Sequence, residues 1–148
     1  MSFQSKVFDL YYSKERLARI GLKVGADVPF FVYEYESANV TGIGEKVEKF
    51  EEEPFEIETF TPAIKCNTGQ IFNTFRNKFY KEISQEDSML LLNKKSIDVL
   101  SELNISEAND LYQSAISENE GLKKYAKNDW FFSGSGSSFF KIKPEEGC

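Results

Sequence analysis

The sequence predicts an α+β fold with a mainly antiparallel sheet packed with helices. Three observations carry this. Stretches with apolar residues at helical spacing are mixed with short alternating stretches, in no regular βαβ order. The turn signals between the short stretches suit hairpins better than long crossovers. Finally, 41% of the 148 residues are hydrophobic and 14 are Phe, which is enough for a packed core without staples.

The elements follow in order. Ser13 can cap a helix whose apolar positions Leu17, Ile20 and Val24 share one face, with Gly25 as the C′ residue that ends it. Pro29 biases Val28 towards extended geometry, so a strand is expected over Phe30–Tyr33, with Asp27 at the helix-to-strand junction. Ser37–Ile43 reads as a strand, Gly42 and Gly44 as a turn or bulge, and Glu45–Phe50 as a hairpin partner. The run Glu51-Glu52-Glu53-Pro54 is a break and a candidate domain boundary.

Phe55–Phe60 alternates as a strand does, and Ala63–Cys66 is expected to be another. A helix is predicted from Thr68 through Ile71, Phe72, Phe75 and Phe79. A second runs over Ser88–Leu103, in one or two pieces. A third is capped by Asn109 or Asp110, carries Leu111, Ala115, Leu122 and Tyr125, and has a possible break at Gly121. The strands Trp130–Phe132 and Phe139–Lys143 flank Ser133-Gly134-Ser135-Gly136-Ser137-Ser138.

Composition narrows the function classes. The formal charge of −6 disfavours nucleic acid and anionic membrane as partners. No apolar run is long enough to span a bilayer, and the N-terminus lacks the apolar core of a signal peptide. Two cysteines, Cys66 and Cys148, form no disulfide framework, and a reducing, cytoplasmic setting is expected. With no histidine in the chain, His triads and His metal ligands are excluded, and no metal site is expected. Proton transfer would fall to a carboxylate, Lys, Tyr or Cys.

Three places could carry chemistry. In the serine–glycine loop, Gly134 and Gly136 permit positive φ and close approach of a ligand. Successive N–H groups there can form an anion nest, and Ser133, Ser135, Ser137 and Ser138 add hydroxyls. The plain alternative is a flexible hairpin loop. The flanking Phe131, Phe132, Phe139 and Phe140 weigh on the other side, as a sign of buried strands that hold it rigidly. Asp27 could orient or deprotonate a hydroxyl, or simply serve a turn. Phe72 could stack on a base, or pack in the core.

Four segments together carry a resemblance. Gly25-Ala26-Asp27-Val28-Pro29-Phe30-Phe31, Gly42-Ile43-Gly44-Glu45, Asn109-Asp110-Leu111 and Phe132-Ser133-Gly134-Ser135-Gly136-Ser137 resemble, in the same order, motifs of the GHMP family of small-molecule kinases. The likeness is to the branch that acts on a cytidine-diphosphate-linked methylerythritol in non-mevalonate isoprenoid synthesis. It implies that residues 1–54 are the tail of the family's ATP-binding N-terminal domain and 55–148 its C-terminal domain.

The resemblance also implies roles. Asp27 takes that of the catalytic carboxylate, and Ser133 through Ser137 that of the substrate and phosphate loop. Asn67-Thr68-Gly69-Gln70-Ile71-Phe72 resembles the stretch that meets the substrate, so Thr68 and Phe72 are its binding residues here, Phe72 against the cytosine. The partner implied is a cytidine-diphosphate-linked polyol. ATP and Mg²⁺ would serve the whole enzyme, with neither held tightly by this chain.

The family also has a lysine and a longer glycine-rich phosphate loop ahead of the Asp27 segment. No glycine-rich loop precedes Asp27 here and nothing matches the family's N-terminal lysine, so this chain alone is expected to be inactive. A mevalonate- or homoserine-type kinase is the nearest alternative, disfavoured by Gly25–Phe31. A non-catalytic ligand- or partner-binding domain is the other.

Overall fold

The computed structural model describes residues 11–144. Cys148 lies outside them. The chain divides into two compact units, one up to Pro54 and one from Phe55.

The first unit is a helix pair and a hairpin. Helix α1 spans Lys14–Leu22, and Ser13 caps it by accepting a hydrogen bond from the Arg16 N–H at 3.3 Å. Helix α2 spans Val28–Tyr33 where a strand was expected. Pro29 sits in its first turn, where the missing N–H is one of those left without an intrahelical partner in any case. Proline therefore starts this segment as a helix instead of extending it. Lys14 Nζ donates to the Tyr33 carbonyl and to Glu34 at the far end of α2, at 3.0 Å each.

The face of α1 also differs from expectation. Ala18 and Gly21 are the buried positions, whereas Ile20 and Val24 are exposed. A Cβ on Gly21 would lie 2.4 Å from Val28 Cγ1, so α1 meets α2 through its smallest residue. α1 ends at Leu22 with Lys23 as its C-cap in right-handed geometry, so Gly25 is not the αL terminator.

Strands β1 (Ala38–Thr41) and β2 (Lys46–Lys49) pair antiparallel, with Thr41 opposite Lys46. They are shorter than predicted, because residues 42–45 form the turn. Gly42 and Gly44 have φ of +70° and +103°, and the Ile43 N–H donates to Glu45 Oε2 at 2.6 Å.

The second unit holds the main core. Strands β3 (Ile57–Phe60), β4 (Phe131–Phe132) and β5 (Phe139–Ile142) form an antiparallel sheet in the order β3-β5-β4. Residues 63–66 form no strand. A short turn from Pro62 O to Ile64 N (2.8 Å) redirects the chain, and Ile64 and Cys66 pack on the core instead of pairing in a sheet.

Helix α3 (Thr68–Thr74) continues into a π-helical turn, Phe75–Phe79, closed by Tyr80 N–H to Phe75 O at 2.8 Å. The expected helix around residues 88–103 is two pieces, α4 (Gln85–Leu92) and α5 (Ser96–Glu102). A short unpredicted helix, α6 (Ile105–Ala108), follows, capped reciprocally by Asn104 and Glu107. Helix α7 (Leu111–Glu118) leads to a 3₁₀ segment, Glu120–Tyr125, which accounts for the break expected near Gly121.

Ile71, Tyr112, Ala115, Leu122, Phe132 and Phe139 make the core. The fully buried Ile71, Leu122 and Phe139 each contribute about 1.5–3 kcal/mol of apolar burial. That core is the platform on which both ends of the serine–glycine loop stand. Among the described residues, no helix is long and apolar enough to cross a membrane.

Candidate functional site

In the first unit, Asp27 lies between two helices, not between a helix and a strand. It is exposed and precedes α2 with φ −85° and ψ −15°, and its side chain makes no capping hydrogen bond. Among the described residues, its carboxylate has no hydrogen-bond or ion-pair partner.

The backbone beside it is held from the hairpin turn. A Cβ on Gly44 would lie 2.1 Å from the Ala26 carbonyl oxygen, so only glycine permits this contact. A Cβ on Gly42 would meet the Glu45 carboxylate at 2.2 Å. Hydrogen bonds from the N–H groups of Glu45 itself and of Ile43 hold that exposed carboxyl below its ordinary range. The spacing of Gly42, Gly44 and Glu45 is thus the requirement of one turn that abuts the residue before Asp27.

In the second unit, the serine–glycine loop is an ordered turn. The Ser133 N–H donates to Ser138 O at 2.9 Å and the Gly136 N–H to Ser133 O at 3.0 Å. Gly134 and Gly136 have φ of +55° and +92°. Three hydrogen bonds to two neighbouring segments pin it. Ser137 Oγ donates to Pro62 O at 3.0 Å, Thr61 Oγ1 and Ser138 Oγ are 2.7 Å apart, and Thr68 Oγ1 and Ser135 Oγ are 2.8 Å apart. Among the described residues, the N–H groups of Gly134 and Ser135 donate to no protein acceptor, so two adjacent donors remain at the exposed tip.

Thr68 opens α3, and Asn67 caps that helix by accepting from the Gln70 N–H at 3.0 Å. Phe72 lies four residues beyond Thr68, on the same helix face. It is 40% exposed, so it is not a core residue; the neighbouring Ile71, at 1%, fills that place. Glu118 of α7 accepts hydrogen bonds from Thr74 Oγ1 (2.6 Å) and from the Gln70 side chain, which fixes α3 against α7. The fold therefore brings Thr68, Phe72 and Ser133–Ser137 to one region of the second unit, while Asp27 belongs to the first.

Cys66 lies under the loop, 3.0 Å from where a Cβ on Gly136 would be, and burial pushes its thiol pKa up. It is a packing residue. Sequence reasoning missed Asn109 as more than a helix cap. Its Oδ1 accepts from the Leu111 N–H at 2.9 Å, while its Nδ2 donates to Phe132 O and Gly134 O, each at 2.9 Å. The cap was legible from Asn109-Asp110-Leu111, but nothing local marks acceptors 23 and 25 residues away.

A separate groove of about 310 Å³, lined by Glu58, Phe60, Tyr125 and Trp130 among others, contains none of the predicted site residues. Among the described residues, no three carboxylates or thiols converge as a metal site.

No family model matches the chain. It is 47% identical, over 96% of its length, to the 4-diphosphocytidyl-2-C-methyl-D-erythritol kinase of Sulfurimonas denitrificans, covering 53% of that protein. It is 43% identical to the enzyme of the same name from a Sulfurovum species, over 88% of this chain and 52% of that one. The crystal structure of a 4-(cytidine 5'-diphospho)-2C-methyl-D-erythritol kinase superposes on 93% of the chain with a TM-score of 0.64 and 23% identity, covering 50% of that structure. The fold of the chain is thus that of about half such a kinase. The chain likewise spans about half the length of the curated relatives it matches.

Proposed function

We propose that the chain is part of an ATP-dependent kinase that phosphorylates a hydroxyl of 4-diphosphocytidyl-2-C-methyl-D-erythritol. The observation that carries this reading is the similarity to enzymes of that name along nearly the whole chain, through both compact units. Within it, residues 1–54 are the tail of the ATP-binding domain and 55–148 the C-terminal domain.

The roles follow from the chemistry each residue has free. The Asp27 carboxylate, uncommitted to a cap, orients the substrate hydroxyl and accepts its proton as that oxygen bonds to the γ-phosphorus. The bond from the γ-phosphorus to the β-phosphate oxygen breaks, and ADP leaves. ATP supplies the phosphoryl group. The open N–H groups of Gly134 and Ser135 suit a phosphate oxygen, since preorganised donors stabilise charge without reorganising during the reaction. The Phe72 ring offers a stacking face to the cytosine, and Thr68, paired with Ser135, links that face to the loop. Among the described residues no three carboxylates or thiols gather to hold a metal ion on their own, so magnesium would come with the ATP phosphates.

The full-length protein is expected to release ADP from ATP in the presence of the cytidine-linked substrate, at about 1–100 s⁻¹ as kinases do. Absence of substrate-dependent ADP release, or equal turnover with mevalonate or homoserine, would overturn the reading.

Phe72→Ala in that protein should weaken the cytidine-linked substrate by about 1–3 kcal/mol, the worth of one base–aromatic stack. The KM for ATP and the melting temperature should stay near wild type, because the ring is substantially exposed. Calorimetric titration of both ligands checks this; unchanged affinity for the cytidine-linked substrate sinks the role.

A further inference from the structure

We infer that Asn109 is a positioning residue: its carboxamide turns the Gly134–Ser135 peptide so that the Ser135 N–H is presented to a phosphate oxygen. This rests on the kinase reading above for the identity of the phosphate, but not for the geometry.

One side chain closes three hydrogen bonds. Asn109 Oδ1 takes the Leu111 N–H and so fixes the carboxamide at the start of α7. Nδ2 then holds Phe132 O, at the end of β4, and Gly134 O, inside the turn. In a planar trans peptide the C=O and the N–H point in opposite directions. Drawing Phe132 O towards Asn109 sends the Ser133 N–H the other way, where it meets Ser138 O at 2.9 Å. Drawing Gly134 O towards Asn109 likewise sends the Ser135 N–H away from the carboxamide, and there it has no protein acceptor among the described residues. Gly134 has φ +55° and a Cβ there would meet nothing within 4 Å; the Ser135 hydroxyl is tied to Thr68 and the Gly136 N–H to Ser133 O, but Asn109 is the group that bonds to this peptide itself. A donor aimed in advance is what a phosphate oxygen requires.

The test is Asn109→Asp. A carboxylate can still accept from the Leu111 N–H but cannot donate to either carbonyl, and it repels both. In the full-length protein, kcat is expected to fall about 10²-fold, the scale for losing one preorganised donor, if the phosphate is the one transferred. If it belongs to the cytidine diphosphate, the KM for that substrate rises instead. In the chain itself, the Ser135 amide resonance should shift saturably on titration with inorganic pyrophosphate, and Asn109→Asp should abolish that shift.

A folded variant with kcat and both KM values within about threefold of wild type overturns the inference, even if its melting temperature falls. An unaltered pyrophosphate shift in the variant does the same. Should Asn109→Asp not fold, the wild-type titration decides: a Ser135 amide that pyrophosphate leaves unmoved overturns it. A wild-type protein that is inactive on the cytidine-linked substrate yet shows the Ser135 shift sinks the kinase reading and not this one.

Discussion

Asp27→Asn in the full-length protein should lower kcat by about 10²–10⁴-fold while leaving substrate affinity within a few-fold. The argument begins with what the side chain does not do. It precedes α2 but accepts no hydrogen bond from that helix, and it pairs with no cation among the described residues. An Asp that caps a helix typically contributes about 1 kcal/mol through that bond, and its amide keeps the acceptor. Here there is no such contribution to lose. Asparagine preserves shape and volume but cannot accept a proton at neutral pH or supply negative charge to the attacking hydroxyl. The expected signature is thus a kinetic loss with no thermal one. Steady-state ADP release and a melting curve on the same sample separate the two. An Asn variant within a few-fold of wild-type kcat would make Asp27 a plain turn residue.

Gly136→Ala should have the largest effect on stability. The backbone there has φ of +92°, which L side chains adopt only with strain of order 1–3 kcal/mol. The added Cβ would also lie 2.3 Å from Phe132 Cζ and 3.0 Å from Cys66 Sγ. Phe132 is a core residue in edge contact with Phe139 and Tyr112, so it cannot yield without opening the core. Overpacking of that kind adds about 1–3 kcal/mol. Together these reach several of the roughly 5–15 kcal/mol that hold a domain folded.

Gly134→Ala is the internal control. Its φ is also positive, at +55°, but nothing lies within 4 Å of the new Cβ, so only about 1–2 kcal/mol of backbone strain applies. Thermal unfolding followed by circular dichroism should rank Gly136→Ala well below Gly134→Ala, and the latter below wild type. Equal midpoints for the two variants would show that the loop does not rest on Phe132 as described. Turnover of the full-length Gly136→Ala protein should be lost together with its fold.

Several features were decided by the sequence alone, because their causes lie within a few residues. Ser13 sits directly before a helix and caps it, as expected, through a side-chain oxygen that needs only the next three N–H groups; Asn67, Ser84 and Asn104 cap by the same local means, though the sequence reading did not single them out. Gly42-Ile43-Gly44-Glu45 dictates a turn, because two positive φ values and a returning carboxylate are properties of those four residues. The Phe pairs around the serine–glycine loop mark buried strands: Phe131, Phe132 and Phe139 are buried, while Phe140 is half-buried.

Tertiary contacts decided the rest. Residues 30–33 became helix because Pro29 is tolerated in the first turn, while Val28 packs on Gly21 of α1 and Lys14 closes the far end of α2 from 19 residues away. The same packing chose Ala18 and Gly21 over Ile20 and Val24 as the inner face of α1, since close approach favours the smallest side chains over the most hydrophobic ones. The candidate loop site was likewise assembled at long range. Thr68 meets Ser135 across 67 residues, Ser137 meets Pro62 across 75, and Asn109 reaches Gly134 across 25. Sequence periodicity reports which residues are apolar and how they repeat along one element. It carries no information on which distant carbonyl an asparagine will hold, because that depends on where the sheet and the helices meet.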